Sequence, residues 1–150
     1  MPTLTDDNEV VASYIFNLIK TNASALGLKT VLYGDHDLIP HTPAVCVVPG
    51  PESTIYNGVG GRPVMITFET YALVIYNKLQ DIQANLHSCG TLATQVKRLV
   101  HTDPMLGIPP NQLVIDCMCT DNEPGIVIKG GQLSPANRLT FSSRSKVRIS

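Results

Sequence analysis

Charged side chains are scarce in this sequence of 150 residues, at 15%, a low share for a small monomer that keeps its whole surface in water. Neighbouring molecules are therefore expected to cover part of it. Neither sign dominates: 11 basic residues stand against 12 acidic ones. The lack of a net positive field argues against bulk binding of DNA or RNA. No apolar run approaches the roughly 18 to 20 residues that span a bilayer. The opening residues include Asp6, Asp7 and Glu9, where a secretory signal would carry bases followed by an apolar stretch. These absences predict a soluble, unexported chain with no membrane contact. Cysteine is limited to Cys46, Cys89, Cys117 and Cys119, each inside an apolar pattern. That suits reduced, buried thiols in a cytoplasm and not a disulfide scaffold.

Motifs for cofactors are missing too. The sequence holds no Walker loop, no G-x-G-x-x-G after a strand and no H-E-x-x-H, and Gly58, Gly60 and Gly61 match no phosphate loop. Cys117 and Cys119 form a C-x-C pair, but zinc needs two further ligands at suitable spacing. The pair reads as core, and no metal or cofactor is expected. Asp35, His36 and Asp37 are consecutive and so cannot converge on one point; they read as a polar turn after Gly34. Cys46 could in principle pair with His41, His87 or His101 as nucleophile and base. It lies, however, within Ala44-Val45-Cys46-Val47-Val48, a buried strand pattern without the turn that would expose a nucleophile.

What is present is periodicity. Val11, Tyr14, Ile15, Leu18 and Ile19 fall on one stripe, predicting a helix over residues 6–20 capped by Thr5 or Asp6. Strands are predicted over residues 30–33 and 44–48, then a long hairpin arm or loop at about 50–62, where Pro51 and the glycines interrupt the pattern. Residues 64–76 read as a long strand, exposed at its start and buried at its end. A second helix is expected over residues 81–101, with Ile82, Leu86, Cys89, Ala93, Val96 and Val100 as its stripe and Asp103-Pro104 as its stop. Gly90 inside it suggests close packing against a sheet. Further strands are expected at 113–120 and, separately, 126–129, before a Gly130-Gly131 turn. In the last segment Leu139, Phe141, Val147 and Ile149 alternate with Arg138, Arg144, Lys146 and Arg148, giving a strand with one basic face. The expected fold is α+β: one domain over residues 1–150, two helices on one mostly antiparallel sheet.

Charge is unevenly placed. Asp6, Asp7, Glu9, Asp35 and Asp37 lie in the first quarter, while Lys129, Arg138, Arg144, Lys146 and Arg148 occupy an acid-free end. Such asymmetry suits head-to-tail contact between copies.

Several segments together resemble the tail terminator proteins of long-tailed bacteriophages. The resemblance is carried by Ala25-Leu26-Gly27-Leu28-Lys29, by Tyr33-Gly34-Asp35, and by Ile39-Pro40 with Thr42-Pro43-Ala44-Val45-Cys46-Val47. It continues through Thr67-Phe68-Glu69, Leu73-Val74-Ile75-Tyr76, Gln80-Asp81-Ile82-Gln83, His101-Thr102-Asp103-Pro104 and Arg138-Leu139-Thr140. It implies a structural virion protein and no enzyme: a hexameric ring that caps the tail tube, stops its growth and joins tail to head at the head-tail junction. Assembly would take place in the host cytoplasm. The implied partners are other copies, the tail tube protein and a head-completion, stopper or connector protein, with DNA passing through the channel without sequence-specific binding. Within this picture Asp6, Asp7 and Glu9 would meet Arg144, Lys146 and Arg148 of the next subunit, with Arg138 on the same stripe. Ile55, Tyr56, Asn57 and Arg62 on the arm would touch the tail tube or an adjoining neck ring. The competing readings are another neck ring, a small cytosolic enzyme using Cys46 or the Asp35–Asp37 turn, and a regulatory binding module that never enters a virion.

Overall fold

Apolar spacing accounts for the two long helices, and the cap expected at Thr5 or Asp6 lies outside the described residues. The computed structural model describes residues 7–34, 36, 39, 41–56, 63–77, 81–102, 116–129 and 131–146. Helix α1 spans Asp7–Thr21, and Val11, Ala12, Ile15 and Ile19 on it are fully buried. Burial of each of the three larger side chains contributes about 1.5–3 kcal/mol relative to exposure. Tyr14, expected on the same stripe, instead lies at its exposed rim. The one-turn helix α2, Ala23–Leu26, adds to the two helices expected; it closes on Gly27, whose φ of 74° favours glycine. Helix α3 spans Ile82–His101. Its N-cap is Asp81, whose carboxylate accepts from the Ala84 N–H at 2.8 Å. Arg98 sits in its last turn, where a cation suits the dipole. Cys89, Leu92, Ala93, Val96 and Val100 form its buried stripe. Gly90 is not explained by packing: a Cβ there would meet nothing within 4 Å. The predicted stop at Asp103-Pro104 lies outside the described residues.

Five strands follow the predicted order: β1 Thr30–Tyr33, β2 Ala44–Tyr56, β3 Pro63–Ile75, β4 Asp116–Lys129 and β5 Gln132–Lys146. The segment after residue 48 is strand where a loop was equally expected, so β2 and β3 form a hairpin arm whose end, residues 57–62, lies outside the described residues. The segments expected as separate strands at 113–120 and 126–129 are joined in one β4. A bulge between Cys119 and Asp121 interrupts its alternation and hides the continuity. Residues 111–115 and 147–150 are also outside the described set.

The sheet order is β1-β2-β3-β5-β4. Only β1 and β2 run parallel; β2-β3, β3-β5 and β4-β5 are antiparallel. Register decides which side each residue faces. Val45, Val47, Phe68, Ala72, Val74, Leu139 and Phe141 point to one face and form a single core with the helices. Helix α1 packs on β1, β2 and β3, and α3 on β3, β5 and β4. The opposite face carries a smaller cluster of Cys46, Ile75 and Ala136 with Leu32, Ile39, Leu73 and Val127 around it, and no described helix covers it.

Two sites in the sheet set its tolerance to change. At the β2 bulge between Pro49 and Glu52, a Cβ on Gly50 would lie 2.8 Å from the Glu69 carbonyl oxygen and 2.9 Å from the Tyr71 ring. On the helix-bearing face, Thr70 Oγ1 and Ser143 Oγ are buried with no hydrogen-bond partner among the described residues, a desolvation cost of about 1–3 kcal/mol each. Thr70→Val, which keeps the shape and removes the hydroxyl, should therefore stabilise the domain by about 1 kcal/mol. Gly50→Ala should destabilise it by about 1–3 kcal/mol through forced backbone shifts. Urea denaturation of both variants checks the opposite signs.

Candidate interaction surfaces

Three regions carry residues that the sequence singled out, and a fourth was not read from it. The first is the bare face of the sheet. Leu73 pairs with Arg138, and Arg138 in turn with Glu123, so these side chains share that face. Tyr71 Oη donates to Glu69 Oε2 at 3.1 Å. The Arg138 guanidinium lies 5.4 Å from the Tyr71 ring centre and donates to Glu123 Oε2 at 3.1 Å. Burial first, and then the neighbouring Glu69 carboxylate, raise the Tyr71 pKa, with Arg138 opposing. Both ends of the Arg138–Glu123 pair are more than half exposed, so the pair itself contributes no more than about 1 kcal/mol. Its importance is geometric: it holds the arginine beside a small cleft lined by Cys46, Val48, Tyr71, Leu73 and Arg138 itself.

Arg138 and Arg144 lie on this one face by strand parity, as the alternating pattern predicted. Lys146 continues the strand, and Arg148 is outside the described residues. Glu9 projects from α1 on the helix-bearing side and is exposed; Asp6 lies outside the described residues, as does the Asp7 side chain. In one subunit the acidic helix and the basic stripe thus occupy opposite faces of the sheet, and Arg138 already has an acidic partner in its own chain.

The arm is the second region. Pro51, Glu52 and Ser53 on it are exposed. Ile55 and Tyr56 belong to β2 and pair with Met65 and Pro63; their side chains, with Asn57 and Arg62, lie outside what is described.

The third region is the pair of domain edges, which the sequence reading missed. Beside β1, an open groove is lined by Glu9, Val10, Ser13, Tyr14, Asn17 and Tyr33. At the other edge the β4-β5 hairpin extends past the last β3 pair, Ile75 with Ala136. It carries Ile126, Ile128 and Leu133 in the open. The run Ile126-Val127-Ile128 has the composition of a buried strand, and nothing local distinguishes it from one.

The residues considered for catalysis form the fourth group, and they are dispersed. Cys46 is buried on the bare face. His36 Nε2 lies 3.0 Å from the Tyr33 carbonyl, while Asp35 and Asp37 are outside the described residues. His101 Nε2 accepts from the Cys119 N–H at 2.9 Å, which ties the end of α3 to β4. His87 lines an open cleft with Leu26, Pro43, Tyr76 and Gln95. Among the described residues no group of three His, Cys, Asp or Glu side chains could hold a metal ion. No helix there is long and apolar enough to cross a membrane. All four cysteines are free thiols; Cys117 is buried and Cys119 half-buried. No protein-family model and no curated protein matches the chain.

Cys89 has an energetic signature. Its thiol donates to the Val74 carbonyl at 3.3 Å, and burial pushes its pKa up to about 11. The folded state therefore holds the proton more tightly than the unfolded chain, which ionises near 9.0. Stability is fully present below that value and falls as pH rises towards 11. Denaturation midpoints measured across this window should decline in the wild type, and the decline should flatten in Cys89→Ala.

Proposed function

We propose that the chain is a structural subunit of a bacteriophage neck: a tail terminator that forms a ring on the tail tube, ends its growth and joins tail to head. The observation that carries the reading is the placement of the two hairpins. The β3-β5 register runs from Met65 with Lys146 to Ile75 with Ala136. The β2-β3 hairpin is therefore directed to the Met65 end of the sheet, and the β4-β5 hairpin to the Ile75 end, where it extends beyond β3. A subunit with hairpins directed to both ends of its sheet and dissimilar edges suits a component that contacts copies beside it and different rings above and below it.

The composition supports the same reading. A charge content of 15% with 43% apolar residues is economical for a subunit whose surface is covered by neighbours. The order of strand and turn segments, from about Ala23 to Lys146, resembles that of tail terminators. On this reading the partners are further copies in a six-fold ring, the tail tube protein, and a head-completion, stopper or connector protein. DNA passes through the channel without base-specific contacts, and the protein performs no catalysis. The arm carrying Ile55, Tyr56, Asn57 and Arg62 faces the tube or the adjoining ring.

Immunogold electron microscopy of phage particles with antibody against this chain tests the reading. Label at the head-tail junction of intact or gently disrupted particles is the expected result. Particles whose junctions are accessible but carry no label would overturn it.

A further inference from the structure

The sheet ends on two edges of unequal length: β1 has 4 residues and β4 has 14. Among the described residues no strand lies beyond β4. A long edge of outward backbone groups is a template on which another chain can add. Register shows which groups β4 turns outward. The Tyr76 N–H donates to the Pro135 carbonyl, so alternate residues of β5 from Leu133 to Ser143 turn their backbone groups to β3. Opposite them in β4, Cys117, Cys119, Asn122, Pro124, Ile126 and Ile128 turn theirs away from β5, to the outer edge.

Three features close the part of this edge beside α3. The outward Cys119 N–H donates to His101 Nε2 at 2.9 Å. The bulge between Cys119 and Asp121 breaks the regular spacing that an incoming strand would have to match. Pro124 turns outward the one kind of backbone nitrogen that carries no hydrogen. Two of these features are fixed by the covalent chain, and the third depends on a proton. A backbone N–H can only donate, so His101 Nε2 holds a lone pair and the neutral ring carries its hydrogen on Nδ1. Protonation turns Nε2 into a second donor, and the bond to Cys119 is then lost.

The ionisable groups around this contact are Lys97 and Arg98 on α3, and Cys119 and Asp121 on β4. Of these residue types, histidine is the one that ordinarily changes charge between about pH 5 and 8. Burial raises the Cys119 pKa, which moves that thiol further from the same range.

We infer that His101 is a proton-released cap on the edge of β4. Neutral, it holds the end of α3 to the strand and occupies the Cys119 amide; protonated, it releases both. This role is independent of what the chain assembles into.

Amide hydrogen exchange of Cys119 in the full chain, followed by NMR and expressed as protection relative to the unfolded-chain rate, provides the test. Protection in the wild type should fall about fivefold between about pH 7.5 and pH 5, in step with the His101 ring signals in the same spectra. Core amides such as those of Val74 and Leu139 should keep their protection, which separates release of the cap from loss of the fold. His101→Gln places a carboxamide oxygen that accepts at either pH, and Cys119 protection in it should stay level. His101→Ala should lower that protection at both ends of the range. A wild type with protection independent of pH, a His101→Gln variant that loses it on acidification as the wild type does, or a His101→Ala variant that stays protected would each overturn the role.

Discussion

Strand β3 is the constraint on which the other elements depend. It is hydrogen-bonded on both sides, to β2 and to β5, and both main helices pack on it. Its eleven-residue register with β5 decides which side chains enter the core. A slip of one residue would move Phe68, Ala72 and Val74 from the helix-bearing face to the bare one. Strands β1 and β4, by contrast, are each held by one neighbour. The edges are thus where the domain has surface to offer, and the centre is where it has none to spare.

Much of this was legible in the sequence wherever one face of an element is buried and the other wet. The helix Ile82–His101 follows from its apolar spacing, and the strand Thr30–Tyr33, half-buried along its length, from the turn residues that bound it. The basic side of β5 follows from strict alternation. Legibility fails where burial is decided by distant chain. Tyr14 shares a stripe with Ile15, yet lies at the edge of what the sheet can cover. Ile126 and Ile128 look like core and are open because the hairpin outruns both β3 and the helices. The pairing of Arg138 with Glu123 joins residues fifteen positions apart through a strand register that no local pattern reveals.

The two faces of the sheet differ in character, and that bears on assembly. The helix-bearing side holds the core, while the other presents a half-buried apolar cluster crossed by the row Glu69, Tyr71, Arg138 and Glu123. The charge on Arg138 is therefore partly answered within the subunit, and Arg144 on the same stripe stands opposite Asp116 of β4. Acidic α1 and basic β5 project from opposite sides. Contact between them across subunits would need neighbours arranged face to back.

The bulge in β4 governs more than the local backbone. Before it, Cys117 and Cys119 pair with Ser143 and Phe141; beyond it, Asn122 pairs with Leu139. Odd-numbered residues face the helices on one side of the bulge, and even-numbered residues do so on the other. One inserted residue thus acts as a parity switch for the whole distal strand. It turns Ile126 and Ile128 towards the helix side and leaves Val127 to pack on the bare face. Chain length at this single position, as much as side-chain identity, sets which surface the hairpin shows to its surroundings.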